Sequence, residues 1–272
     1  GIPSFQVINS TQSTISATIT VTPSYENNGI ICDGNAETFT IVVNPSPEMD
    51  NVDDIVLCNN EISSIIEFTT PNTDGNTTYN WTNDNTSIGL SSGGNGDIPS
   101  FTAINLTPIT EVATITVIPT YENNGVVCIG NAQTFSISVL SEIEITGTTV
   151  DALDCNDPNS GNINITVTGG SGVYDFLWSN GSITEDLNNI GPGDYSVTVT
   201  DSEGCVAFSE SFNVFRQEDL IVQLDTEIVP FCENNLVTQE NRITISGGLG
   251  PYTVNWSGGS VSINDNTFMT AY

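Results

Sequence analysis

The sequence predicts an all-β fold: tandem immunoglobulin-like sandwiches following one another in an extended rod. Three observations carry this expectation. The stretch IPSF...ATITVTPSYENNGIICDGNAETFTI, from Ile2 to Ile41, returns as IPSF...ATITVIPTYENNGVVCIGNAQTFSI from Ile98 to Ile137, at a constant offset of 96. Runs rich in Thr, Val and Ile alternate apolar and polar residues, as a half-buried strand requires. Asn-Gly and Gly-Pro-Gly turn signals separate these runs, and no stretch of helical period is long enough for a stable helix.

An offset kept without insertion means one structural unit copied in tandem, so the period is a domain length. A second kind of repeat follows. Cys155, Gly169-Gly170, Tyr174 and Trp178-Ser179 return as Cys232, Gly247-Gly248, Tyr252 and Trp256-Ser257, at 77 for the cysteines and 78 for the rest. The expected organisation is therefore the C-terminal part of a first-type sandwich over 1–45, a complete one over 46–140, a complete second-type sandwich over 141–215, and a truncated copy of it over 216–272. Both ends of the chain are expected to fall inside domains.

Within these units the strands are read from alternation. Ala113–Ile118 is one, and Asp194–Thr200 another, with Tyr195, Val197 and Val199 on a single face. Asn28-Gly29, Asn124-Gly125, Asn180-Gly181 and Gly191-Pro192-Gly193 mark the reversals. Tyr174, Phe176 and Trp178 sit at i, i+2 and i+4, as do Tyr252, Val254 and Trp256, while Tyr79 and Trp81 repeat the spacing. The reading places Trp81, Trp178 and Trp256 in sandwich cores. The alternative is an aromatic platform stacking on sugar rings, which would make the chain a glycan-binding module. Polar or small residues on the opposite face, such as Asp175, Asn255 and Asn80, favour the core.

Each complete domain holds two cysteines, Cys58 and Cys128 in the first type and Cys155 and Cys205 in the second. The expectation is a disulfide inside each domain, Cys58 to Cys128 and Cys155 to Cys205, in an oxidising compartment. Shifted by the repeat period, the partners of Cys32 and Cys232 fall outside the chain, so both are expected to be unbridged. A zinc site would need closely spaced Cys or His pairs, and the sequence has none.

Two basic residues, Arg216 and Arg242, stand against 33 acidic ones, for a net charge of −31 with no histidine. Nucleic-acid binding needs Lys and Arg to displace phosphate counterions, so that partner is excluded; anionic membrane surfaces are disfavoured likewise. Without His or Lys, general-base catalysis at neutral pH, Schiff-base chemistry and Ser-His-Asp triads have no residues to use. Paired carboxylates acting on glycosides would remain, but a catalytic pair is rarely duplicated along an array, and no enzyme is expected. No cofactor is required. Calcium is the one candidate ion: a Cys155–Cys205 bond would bring Asp154 and Asp157 towards Asp201 and Glu203, although Asp and Asn are also ordinary turn residues. Asn9, Asn76, Asn80, Asn85, Asn105, Asn164, Asn180 and Asn255 open Asn-x-Ser/Thr triplets, which are acceptors only in a host that glycosylates them.

The stretch from Leu153 to Gly170, with Tyr174-Asp-Phe-Leu-Trp-Ser-Asn-Gly181, Ile183-Thr-Glu-Asp-Leu187 and Gly193–Cys205, resembles the repeat of SprB-type gliding adhesins of Bacteroidetes. The unit holding Trp81–Leu90, Gly96–Phe101 and Ile118–Tyr121 resembles the PKD-like domains beside that repeat in the same giant surface proteins. The resemblance implies a very long protein secreted by the type IX system, attached to the outer membrane at the cell surface, and moved by the gliding machinery. On that basis the segment is expected to be a structural stalk. Its partners would be neighbouring repeats, with surface polysaccharide or substratum engaged through other regions.

Overall fold

The computed structural model describes residues 2–154, 157–216, 218–233, 236–247, 254, 260–264 and 267–271, and the backbone alone for 225–233, 236–242, 260–264 and 267–271. Every regular element among them is a strand, apart from one 3-10 turn. The chain forms two units. The first comprises Gly1–Glu144 with Thr168–Tyr174 and Asp201–Cys205; the second comprises Ile145–Val167, Asp175–Thr200 and Val206–Tyr272. Two loops of the 141–215 repeat thus belong with the first unit.

The first copy contributes β1 (Ile15–Val21), β2 (Ser24–Asn27), β3 (Ile30–Asp33) and β4 (Glu37–Val43). The complete domain contains β5 (Ile55–Leu57), β6 (Asn76–Asn83), the 3-10 turn Thr86–Ile88, β7 (Gly93–Asn95), β8 (Glu111–Asn123), β9 (Val126–Ile129) and β10 (Gln133–Val139). The sequence offset is kept as strand register. Ile15 faces Val43 and Ala17 faces Ile41 in β1–β4, as Glu111 faces Val139 and Ala113 faces Ile137 in β8–β10. The β2–β3 and β8–β9 hairpins pair Tyr25 with Cys32 and Tyr121 with Cys128. Both turn through Asn-Gly with positive φ at both residues (Asn28 and Gly29, Asn124 and Gly125), the conformation of a tight hairpin turn that follows strand twist.

What differs is burial. Phe135 is 6% exposed and its counterpart Phe39 43%; Tyr121 is fully buried and Tyr25 is 68% exposed. Among the described residues β1 pairs with β4 and β2 with β3, and these strands stay largely exposed. In the complete domain β5, β10, β8, β6 and β7 lie side by side, with β9 added to β8. An irregular second layer, tied by the bridges Ile62 to Thr102 and Ile66 to Ile98, closes over one face. Trp81, Ile88, Ile98, Ile115, Val117 and Ile137 fill the space between.

The second type contains β11 (Glu144–Val150), β12 (Gly161–Thr168), β13 (Tyr174–Trp178), β14 (Leu187–Ile190), β15 (Gly193–Tyr195), β16 (Val197–Asp201), β17 (Val206–Phe208) and β18 (Phe212–Val214). One sheet runs β11-β12-β14 and another β13-β16-β17, with β15 and β18 as a separate pair. Phe212 packs 6.0 Å from the Trp178 ring, and a Cβ on Gly147 would stand 2.8 Å from Phe212 and 2.9 Å from Ile165. Those contacts join the two sheets through one aromatic ring, the interior of a sandwich.

The last copy supplies β19 (Ile221–Glu233), β20 (Leu236–Ser246), β21 (Ser260–Asn264) and β22 (Thr267–Ala271) in the order β19-β20-β22-β21. One close approach recurs at the repeat offset of 78. Gly169 and Gly247, both at positive φ, lie where a Cβ would stand 1.9 Å from the Glu142 carbonyl oxygen and 2.1 Å from that of Asp219. No side chain fits at either position.

Candidate functional site

The parallel pairing of β5 with β10 sets where the cysteines go. Leu57 lies beside Val139, and the Leu140 N–H donates to the Leu57 carbonyl at 2.9 Å, so Cys58 stands at the end where the chain leaves the 46–140 domain. Cys128 stands at the other end. It lies opposite Tyr121, ten residues along β8 from Glu111, the partner of Val139. At about 3.4 Å per residue that is roughly 34 Å, against the 4.4–6.8 Å between Cα atoms that a disulfide allows.

The expected Cys58–Cys128 bridge is therefore corrected. Cys58 is bonded to Cys205, with Cα atoms 5.6 Å apart and 147 residues of sequence between them, and Cys128 is a free, half-buried thiol. The expected Cys155–Cys205 bridge is excluded because Cys205 is already bonded; Cys155 itself lies outside the described residues. Cys32 is free and exposed, as the sequence reading has it, and the Cys232 side chain is outside the described residues.

Cys205 is delivered to Cys58 by Asp201. This carboxylate is 4% exposed. One oxygen accepts the Glu203 and Cys205 N–H groups at 3.0 and 2.9 Å; the other accepts the Ser171 N–H at 2.8 Å. Backbone bonds from Asp201 N–H to the Cys205 carbonyl and from Gly204 N–H to the Asp201 carbonyl close the turn. The Gly170 N–H donates to the Ser141 carbonyl, fastening the neighbouring loop to the point where the chain enters the repeat. Burial beside the Asp201 charge pushes the Tyr174 phenol upward, and its hydroxyl donates to the Gly169 carbonyl. On the facing side the Cys58 N–H donates to the Glu61 carboxylate at 2.8 Å, fixing the turn that follows β5.

Of the calcium candidates, Asp201 and Glu203 belong to the first unit and Asp154 and Asp157 to the second. Asp201 spends its oxygens on three backbone donors, the Asp157 carboxylate accepts the Asn159 N–H at 2.9 Å, and the Asp154 N–H donates to Ser160 at 3.1 Å. Among the described residues no group of three or more His, Cys, Asp or Glu is placed to hold a metal ion.

Trp81 and Trp178 are each 2% exposed and lie in sandwich interiors; Trp256 is outside the described residues. The Trp178 indole N–H donates to the Thr184 carbonyl at 2.8 Å, which satisfies its polar edge, and Trp81 packs on Gly94, where a Cβ would stand 2.7 Å away. Neither ring offers a face to a sugar. Two Asn-x-Thr triplets have a structural use that sequence reading missed. Asn105, 3% exposed, donates to the carbonyls of Ile109 and Val139 at 2.7 and 2.8 Å, and its repeat counterpart Asn9 donates to those of Ser13 and Val43 at 2.8 and 2.9 Å. With both amide hydrogens used and the group buried, Asn105 is closed to glycosylation in the folded domain.

Residues 146–183 match the family model of the SprB repeat. The match runs from within β11 through β13 and the turn after Trp178, about half of the 141–215 repeat. No curated protein matches the chain. Among solved structures, extracellular domains 3–5 of Drosophila OTK align at a TM-score of 0.26 with 11% identity, covering 83% of this chain and 86% of that one; at that score the likeness carries no argument.

Proposed function

We propose that this chain is a structural segment of a large secreted adhesin at the cell surface, a stalk that carries an adhesive element outward. The observation that supports this most directly is the Cys58–Cys205 bond, which ties the 46–140 domain to a loop of the SprB repeat after it. A covalent tie across a repeat junction suits a chain under tension. It limits how far the junction can be drawn apart before a covalent bond takes the force.

The SprB-repeat match supports placing that stalk among gliding adhesins of Bacteroidetes, with the 1–45 and 46–140 units as PKD-like neighbours. In that setting the protein is exported by the type IX system, held at the outer membrane and moved by the gliding machinery, and its ligand is bound elsewhere. The segment itself needs no cofactor and catalyses no reaction. The burial of Trp81 and Trp178 supports this reading over a glycan-binding one.

Single-molecule stretching of the oxidised and reduced chain tests the stalk. Oxidised, the 147-residue span closed by the bond adds nothing to the extension; after reduction the contour length should grow by about 500 Å at 3.3–3.6 Å per residue. Equal lengths in both states would remove the load-limiting role.

A further inference from the structure

The first-type domain carries its two cysteines at opposite ends, and only one is used within this chain. Cys58, at the downstream end, holds Cys205. Cys205 lies in the tip of the β16–β17 hairpin, beside the loop fastened to Ser141, and so at the upstream end of its repeat. Cys128 occupies the matching place in its own domain. It belongs to the β8–β9 hairpin, and Gly130, two residues on, packs where a Cβ would stand 2.5 Å from the carbonyl oxygen of Pro47, where the chain enters the domain. Cys128 lines an open cleft with Asn9, Val42, Pro47 and Asn123, so the half-buried thiol faces the seam between residues 1–45 and the domain that follows.

We propose that Cys128 is a linkage site, forming a disulfide with the downstream-end cysteine of a first-type domain placed before it, as Cys205 does with Cys58. Each junction is then closed by the first cysteine of one domain and the second of the next. Residues 1–45 correspond to 97–141 and hold no counterpart of Cys58; their own Cys32 is a counterpart of Cys128, and it too is free. Among the described residues, the rule accounts for the free thiols of Cys32 and Cys128 and for the Cys58–Cys205 bond with a single geometry. In the bonding step two thiols lose two electrons and two protons as the S–S bond forms. A protein disulfide acting as oxidant is cleaved, and its two sulfurs take up the electrons and protons as thiols. The inference rests on the repeat geometry and is independent of adhesion.

The test extends the full chain at Gly1 with a copy of residues 46–96. Gly1 then takes the place of Asp97, which completes the first copy in register and supplies one extra downstream-end cysteine. After oxidative refolding, peptide mapping without reduction should join the added cysteine to Cys128, keep Cys58–Cys205, and leave Cys32 open to alkylation. C128S in the same extended chain should leave the added thiol alkylated. A bond from the added cysteine to Cys32, or a Cys128 that still alkylates fully while the added copy is folded, overturns the proposal. The unextended chain gives an independent reading if the extension does not fold: Cys32 and Cys128 should both alkylate without reductant while Cys58 and Cys205 do not, and a Cys32–Cys128 bond overturns the proposal equally.

Discussion

The Asp201 carboxylate accepts the Ser171 N–H at 2.8 Å across thirty residues of sequence, and with its other oxygen it holds the turn that ends in Cys205. One buried side chain therefore fixes both loops that the 141–215 repeat gives to the first unit. Replacing Asp201 with Ala should leave three backbone N–H groups without their acceptor and cost about 2–4 kcal/mol, since an unmet buried donor costs about 1–3 kcal/mol and some donors will find water. Asp201→Asn keeps the shape and one acceptor oxygen and should cost less. Chemical unfolding measures both, and the fraction of Cys58 that alkylates without reductant should rise in the Ala variant.

The two tryptophans should behave as core residues. Trp178→Ala and Trp81→Ala should each destabilise by about 3–5 kcal/mol, as large aromatic truncations do. Trp178→Phe retains most of the packing but leaves the Thr184 carbonyl unpaired, and about 1–2 kcal/mol is expected. Unchanged unfolding midpoints would reopen the sugar-platform reading.

Asn105 and Asn9 make the same two hydrogen bonds in different surroundings. Asn105→Ala should cost about 2–3 kcal/mol because it strands buried carbonyls, while Asn9→Ala, in the more open copy, should cost less than about 1 kcal/mol. Equal losses would mean that burial does not set the worth of this device. Mass spectrometry of material from a glycosylating host should find Asn105 unmodified.

Acid should weaken the first unit. The Asp54 carboxyl is held below its ordinary range chiefly by the Ser136 N–H, 2.7 Å away, and that of Glu111 chiefly by the Asn85 amide, 2.9 Å away. Both are depressed in the folded state, so their stabilisation is complete above the ordinary carboxylate pKa of about 4 and is lost as pH falls through the lower folded values. Midpoints from a denaturation series across that range should fall, and Asp54→Asn with Glu111→Gln should flatten the fall. Tyr79 gives the opposite limb. Burial raises its phenol, so its contribution holds at neutral pH and is lost as pH climbs through the raised value.

Much of this was legible because β structure writes itself locally. The offset of 96 became identical strand register, the Asn-Gly pairs became positive-φ turns, and the alternation around Trp81 and Trp178 placed both rings inward. The bridge pairing was not legible. Two cysteines per domain suggest a bond within it, but which end of a sandwich each occupies depends on β5 running parallel to β10, a pairing across some eighty residues that no local pattern reports. A signal was present in retrospect: Cys128 follows the Asn124-Gly125 turn next to the incoming chain, whereas Cys58 ends a strand. In the sequence Asp201 reads as a calcium candidate or a turn residue, because the burial that makes it a loop clasp is a property of the assembled fold.

The long reach of the Cys58 bond also sets an order of events. The β8–β9 and β16–β17 hairpins need only nearby residues, but Cys58 must remain a thiol until residue 205 has been made and its hairpin has formed. Chains that emerge from their N-terminus offer Cys128 long before Cys205, so early oxidation would favour a partner that the native fold holds at its far end. The finished bond is thus a record that the following domain arrived and folded, and a chain stalled between the two would keep Cys58 as an open thiol.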